Sequence, residues 1–269
     1  MARRKQIVLL TVALVLGFFV FGKSSSRVSM EKEISSSLQP NPAWMIPSPD
    51  PAKQQQLQHI FSTPLTFLGK GAQSYAFASS DGKYVVKFFK MRRFTPSFAD
   101  SLCPHVVRRR LRNLNWVFNG YKTAYDHFRE ETGLIFIHLA KTQNLNCKAT
   151  LIDAAGEQFT LDLDSTEFVV QEKAELIFAY LDRLYRQGKN KEAEKAIAQV
   201  FQIVKHRMAE GYADRDKGVS NNYGFVGDRA IQLDIGRLYK GSKPGQLEHV
   251  EKRIERWQHE NQLIFESNS

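Results

Sequence analysis

Between Thr63 and Met91 the chain reads TPLTFLGKGAQSYAFASSDGKYVVKFFKM, and no other stretch restricts the fold as strongly. Three short runs rich in Phe, Tyr and Val, separated by a glycine turn and by a Ser-Asp-Gly turn, predict three successive antiparallel arms around Leu65 to Leu68, Ser74 to Ala78 and Lys83 to Phe89. A glycine-rich turn that leads into a strand excludes a dinucleotide-binding β-α-β unit, in which the same glycines open a helix. Gly69, Gly71 and Ser74 make a G-x-G-x-x-S loop. Without Cβ atoms, the amides of such a loop can approach phosphate oxygens closely. The same turn also serves a plain hairpin, so the loop alone decides nothing. Lys87 is a lone charge in YVVKFF: either an outward-facing lysine of an edge strand or a cation kept for a ligand beside the loop.

Residues 104 to 142 read as helical and basic at the start. The run Arg108 to Arg112 suits a solvated face, or contact with anionic lipid or an acidic substrate. Farther along, Glu131 precedes Leu134 and Ile135 at i+3 and i+4, which places one carboxylate beside an apolar helical face as a partner for Lys87, with Glu130 and Asp126 as rivals. The alternating segments ATLIDAAGEQFTLDL and TEFVVQEKAE then close a sheet of about five strands. Beyond them the pattern turns helical, in ELIFAYLDRLYRQG and in NKEAEKAIAQVFQIVKHRMAEGY, the latter with a start signal at Asn190 and a stop at Gly211. The expectation is an α+β fold with a sheet lobe over residues 58–172 and a short, mostly helical lobe over 173–269, joined by a hinge at Gln171 to Ala174.

The most polar part of that second lobe is ADRDKGVSNNYGFVGDRAIQLDIGR, residues 213–237. YGFV and AIQL flank a Gly-Asp turn and predict a hairpin whose open ends carry Asn221 and Asp234. Both side chains can aim at one point there. A hard cation such as Mg²⁺ takes one or two carboxylates together with phosphate oxygens and water. Asn221 and Asp234 supply such oxygens, and Asp216 is left to accept a proton from an attacking hydroxyl.

In this order the motifs resemble those of the protein-kinase-like phosphotransferases, a superfamily that includes eukaryotic-type and aminoglycoside kinases. GKGAQS is similar to the glycine-rich loop, VVK to the strand lysine motif, DRDKGVSN to H-R-D-x-x-x-x-N and DIG to D-F-G. The resemblance implies a two-lobed fold that binds ATP and Mg²⁺. Lys87 would hold the ATP phosphates, with Gly69, Gly71 and Ser74 around them, and Glu131 would be the partner of Lys87. Gln171 and Glu172 would belong to the nucleotide site, Asp216 would be the catalytic aspartate, and Asn221 and Asp234 would bind the metal. The acceptor is a hydroxyl of a protein, sugar or lipid. Departures are Ser74 at the third loop glycine, Asp214 at the catalytic-loop histidine, and a single charged helix after Gly236 with no A-P-E motif. A chain this short resembles the minimal kinases that depend on an activating partner. It equally suits a tethered kinase-like module that only binds partners.

The N-terminus adds a membrane signal. Ile7 to Gly22 is free of charge and follows a basic cap, at the short end of the roughly 17 to 25 residues that span a bilayer. It lacks an A-x-A site, which favours an uncleaved single-pass anchor; a cleaved signal peptide would make the domain extracytoplasmic. Residues 23–57, rich in Ser, Pro and Gln, read as a linker. A formal charge of +10 suits acidic partners in general and marks no specific nucleic-acid reader. Two cysteines, Cys103 and Cys147, in no metal-ligand spacing, indicate neither a disulfide framework nor a zinc site, and leave room for one disulfide if the domain lies outside the cytosol.

Overall fold

The computed structural model of the protein describes residues 30–266. The strands are β1 (Leu65–Lys70), β2 (Ser74–Ala78), β3 (Tyr84–Phe89), β4 (Leu134–His138), β5 (Lys148–Ile152), β6 (Gln158–Asp162), β7 (Phe168–Glu172), β8 (Glu175–Leu176), β9 (Tyr212–Asp214), β10 (Tyr223–Val226), β11 (Arg229–Gln232) and β12 (Leu238–Lys240). The longer helices are α1 (Pro51–Phe61), α2 (Pro104–His127), α3 (Ile177–Arg186), α4 (Asn190–Ala209) and α5 (Gln246–Glu266). The fold is α+β.

Seven strands form one sheet in the order β4-β7-β3-β2-β1-β5-β6. Neighbours are antiparallel except β1 and β5, which run parallel. This corrects the expected five-stranded, all-antiparallel sheet in two places. The segment after Cys147 is a hairpin of two strands, β5 and β6. Leu134–His138, expected to be an apolar helical face, is strand β4. Its helix ends early: α2 stops at His127, and a short turn over Arg129–Thr132 is closed by Gly133 at φ 60°. A five-residue apolar run does not by itself distinguish strand from helix. Here the left-handed glycine decides, because it turns the chain back to pair with β7.

Strand β3 is interior, hydrogen-bonded to β2 and β7, so the edge-strand reading of Lys87 fails. Both faces of β3 are covered, which accounts for the nearly continuous apolar run in YVVKFF. Val86 and Phe88 join a core with Phe77, Phe136 and Phe168. Phe89 packs on the opposite face against Leu114, Phe118 and Tyr121 of α2. Alternation places Lys87 on the α2 face.

From Met30 onward, the expected linker is part of the domain. Ile34, Leu57, Ile60 and Phe61 lie in the first core, and Trp44 lies in the second with its Nε1 donating to Asn119 Oδ1 at 2.8 Å. Composition misleads here because the prolines serve as helix starters: Pro51 opens α1, and Asp50 caps it by accepting Lys53 N at 2.7 Å. The anchor expected at residues 7–22 lies outside the described residues. Among the described residues no helix is long and apolar enough to cross a membrane.

The second lobe packs α3 and α4 against hairpin β10–β11 and α5, around Ile177, Leu181, Val200, Val204, Phe225 and Ile254. Gly227, at φ 63°, makes the two-residue turn of that hairpin.

Glu167 ties the N-terminal segment to the sheet. It is 1% exposed, accepts Ser36 Oγ at 2.7 Å through Oε1, and leaves Oε2 without a partner. Burial pushes its pKa up to about 7, against the Ser36 bond. The folded state therefore keeps a proton that the unfolded chain releases around the ordinary glutamate pKa of 4.5, and stability falls as pH rises from there to about 7. Glu167→Gln should stabilise the protein above that window by up to about 3 kcal/mol, with the gain vanishing below it. Urea unfolding at about pH 4 and about pH 8 checks this. An equal effect at both pH values would contradict it.

Candidate active site

The lobes meet at Lys87. Its Nζ donates to Gln171 Oε1 and to Leu233 O, both at 2.8 Å. Burial pushes the pKa of this ammonium down, and the carboxylate of Asp234 acts in the opposite direction. The expected ion pair with Glu131 does not form: Glu131 Oε1 lies 2.7 Å from His206 Nδ1 on α4. Glu131 is beyond the end of α2, in the short turn, and so faces the second lobe.

Gln171 and Glu172, expected at a hinge, are residues of β7. Gln171 is 1% exposed, and its Nε2 donates to Thr132 O at 2.6 Å and Gln232 O at 3.2 Å. It is thus a positioning residue that orients Lys87 and joins the lobes. Glu172 pairs with Arg229 of β11.

The glycine loop lies at the other end of β2. Its register slips between Phe67 and Gly69, Gly71 N donates to Ser74 O at 2.9 Å, and Lys90 holds it through Nζ to Gly71 O at 2.7 Å and N to Gln73 O at 2.8 Å. Neither Gly69 nor Gly71 has a positive φ. An added Cβ would meet nothing within 4 Å at Gly69 and only Ser74 O, at 3.8 Å, at Gly71. Neither backbone strain nor internal packing demands glycine here. What the missing side chains leave is open space above the loop.

Across the cleft, Asp214 is 4% exposed and accepts Asp216 N at 2.7 Å and Gln232 Nε2 at 2.6 Å. Gln232 Nε2 also reaches Asp234 O at 3.1 Å, so one amide ties the two aspartate segments together. Burial pushes the Asp214 pKa up, and Arg207 counters it. Asp216 is exposed, with Oδ1 accepting Gly218 N at 2.7 Å. In the hairpin Tyr223 faces Gln232, and Leu233 N donates to Asn222 O at 2.7 Å. Asn221, which is exposed, and Asp234 are the next residues outward on the two arms. The Asp234 carboxylate acts electrostatically on Lys87, on Asp214 and on Tyr121, whose hydroxyl is pushed well up first by burial and then by that charge. The structure thus brings Lys87, Asp234 and the Asp214–Asp216 segment together, and it leaves Glu131 outside.

Three contributors escaped the sequence reading. Gly120, inside α2, lets the helix sit on the Asp234 segment: a Cβ there would lie 2.7 Å from Ile235 O and 3.1 Å from Gly236 C. A glycine inside a helical pattern was the available signal. Gln232 is a buried polar residue that follows Ala230 and Ile231 in β11, and Arg207 continues the buried stripe of Val200, Ile203 and Val204 on α4.

Two changes test this framework. Gly120→Ala should lower stability by about 1–3 kcal/mol even though alanine favours helix by about 1 kcal/mol, because both clashing atoms are backbone. A rise in the urea midpoint would contradict the close approach. Gln171→Leu leaves the Lys87 ammonium and two carbonyls short of partners, and should cost about 1–3 kcal/mol by the same measurement.

No family model and no curated protein matches the chain. Among solved structures, three of the protein WbdD match. One, bound to a kinase inhibitor, is 17% identical with a TM-score of 0.38, covering 68% of this chain and 35% of that one. A second, described as a bifunctional kinase-methyltransferase, is 16% identical with a TM-score of 0.38, covering 67% and 34%. The third is 15% identical with a TM-score of 0.39, covering 72% and 37%. The chain therefore spans about a third of the length of the WbdD chains it matches.

Proposed function

We propose that the protein is a phosphotransferase of protein-kinase-like fold that moves the γ-phosphoryl group of ATP to a hydroxyl acceptor. The observation that carries this reading is the Lys87 ammonium on the third strand, held 2.8 Å from Leu233 O and next to the Asp234 carboxylate. A strand lysine, a glycine loop and a paired Asn-Asp site are the parts such chemistry needs, since it consists of positioning and charge neutralisation. The open space over Gly69 and Gly71 favours a phosphate approach over a bare hairpin. Asn221 and Asp234 fit a hard cation, since one carboxylate, one amide oxygen and substrate phosphates suffice for Mg²⁺. When bound, the ion would offset negative charge on the phosphates. Lys87 would bind the phosphates, the pinned loop would exclude water, and the exposed Asp216 carboxylate would take the acceptor proton.

A second reading has a specific observation behind it. The oxygen facing Lys87 from the sheet belongs to a neutral amide, Gln171, where the superfamily resemblance implies a carboxylate. That favours a weakly active module that binds nucleotide and a partner.

Both readings predict that Mg²⁺ and ATP together raise the melting temperature, and that Lys87→Met and Asp234→Asn abolish the rise. Only the first predicts ATP consumption that falls about 10²–10⁴-fold in Asp216→Ala, the range for losing a general base. Binding with no turnover above that variant would leave the module. No binding at all would remove both.

A further inference from the structure

Behind Asp216 lies a cavity of about 220 Å³, between the Asp214–Gly218 segment and the start of α5. Its walls include the cations Arg207, Lys217 and Lys243 and His249 beside the carboxylates of Asp214 and Asp216. Three features tip this lining towards positive charge. First, Arg207 is 4% exposed and its cation has only neutral direct partners: it donates to Gln232 Oε1 and, at 3.2 Å, to Gln246 Oε1, while Nε has no acceptor. A buried guanidinium with an unused donor is costly unless something negative answers it. Asp214 offsets the charge electrostatically while accepting Gln232 and Asp216 N, so what remains unanswered is the Nε donor. Second, α5 points its N-terminus at the cavity behind Gly245, a residue with no side chain to cap the first-turn amides. Third, Lys243 Nζ spends two protons on Asp214 O at 2.8 Å and Arg215 O at 3.3 Å, leaving one, and Lys217 is exposed at the rim. His249 Nε2 donates to Lys217 O at 2.8 Å, which leaves Nδ1 as a reporter on the cavity wall.

We propose that this cavity seats an oxyanion of the acceptor, so that the substrate is a small hydroxyl compound already bearing a phosphomonoester or similar group. The cavity is smaller than the roughly 300 Å³ at which drug-sized pockets begin, so it suits one anionic group with a few carbons and no nucleotide. Buried Arg207 and the helix end answer the charge. Asp216, on the same wall, meets the hydroxyl. The inference rests on the phosphotransferase reading: the acceptor oxygen bonds to the γ-phosphorus, the bond from that phosphorus to the bridging oxygen breaks, ADP leaves, and the hydroxyl proton passes to Asp216.

Inorganic phosphate is the probe, titrated into the full-length protein without Mg²⁺ at constant ionic strength against chloride, with melting temperature and the His249 ring-proton shift as readouts. Phosphate should stabilise wild type and Lys87→Met alike and move the His249 signal. Its affinity should fall about tenfold or more in Arg207→Gln, as for loss of one charge-assisted hydrogen bond. Lys217→Ala, at an exposed position, should weaken binding severalfold and serves if the Arg207 variant does not fold. Binding lost in Lys87→Met but kept in Lys217→Ala would assign phosphate to the glycine loop and overturn the proposal. Equal binding in every variant, an adventitious ion only, would overturn it too, as would no binding. Mg²⁺-ATP binding measured in parallel separates the two ideas: a protein that ignores ATP yet binds phosphate at His249 keeps the oxyanion pocket and loses the kinase.

Discussion

The two hydrogen bonds of Lys87 are the constraint on which the rest of the site depends. One reaches across the sheet to Gln171 and the other across the lobes to the Leu233 carbonyl, so a single ammonium fixes where β3, β7 and the Asp234 segment meet. An ammonium in such a place is stable only with its protons occupied and a negative charge near it. Leu233 and Gln171 take two of its three protons, and Asp234 supplies the charge. Gln171 carries the same constraint to Thr132 and Gln232, and Gln232 carries it to Asp214 and Asp234.

Packing supports this polar chain from behind. Gly120 lets α2 rest on Ile235 and Gly236, and a Cβ on Gly236 would meet Gln73 Oε1 of the glycine loop at 2.9 Å. Helix, loop and the Asp234–Gly236 segment are therefore in mutual contact without large side chains between them. On the far side, Lys243 and Gln246 hold the Asp214 carbonyl, so the start of α5 sets the floor of the Asp214–Asp216 segment. In this arrangement one chain region lies between two proposed sites: nucleotide phosphates on the Lys87 side and an acceptor oxyanion in the cavity on the Arg207 side.

Local signals that depend on neighbouring residues could be read from the sequence. The three arms of β1 to β3, the Gly227–Asp228 hairpin and the span of α4 between Asn190 and Gly211 all follow from turn and cap chemistry. What could not be read depends on distant partners. Leu134–His138 becomes a strand because Gly133 adopts a left-handed conformation and the edge of β7 is available. Residues 30–57 look like a tether by composition, yet their few apolar side chains, Ile34, Trp44 and Leu57, find both faces of the sheet. Glu131 was a reasonable partner for Lys87 on helical spacing and lost that place when α2 ended at His127. Gln171 was placed at the hinge and the nucleotide site, but its bond to Lys87 could not be read, because an amide inside an apolar strand looks the same whether it orients a lysine or merely satisfies itself.

The central claim is that Lys87, Asn221 and Asp234 surround one nucleotide-metal site. Mn²⁺, which takes oxygen ligands much as Mg²⁺ does, can be added substoichiometrically with ATP to isotopically labelled protein, and its paramagnetism broadens amide signals within its reach. The account predicts selective loss of the Gly71, Asn221 and Asp234 amides, dependent on ATP, while those of α1 and β6 persist. Uniform broadening, or loss centred elsewhere with these three amides untouched, would contradict it.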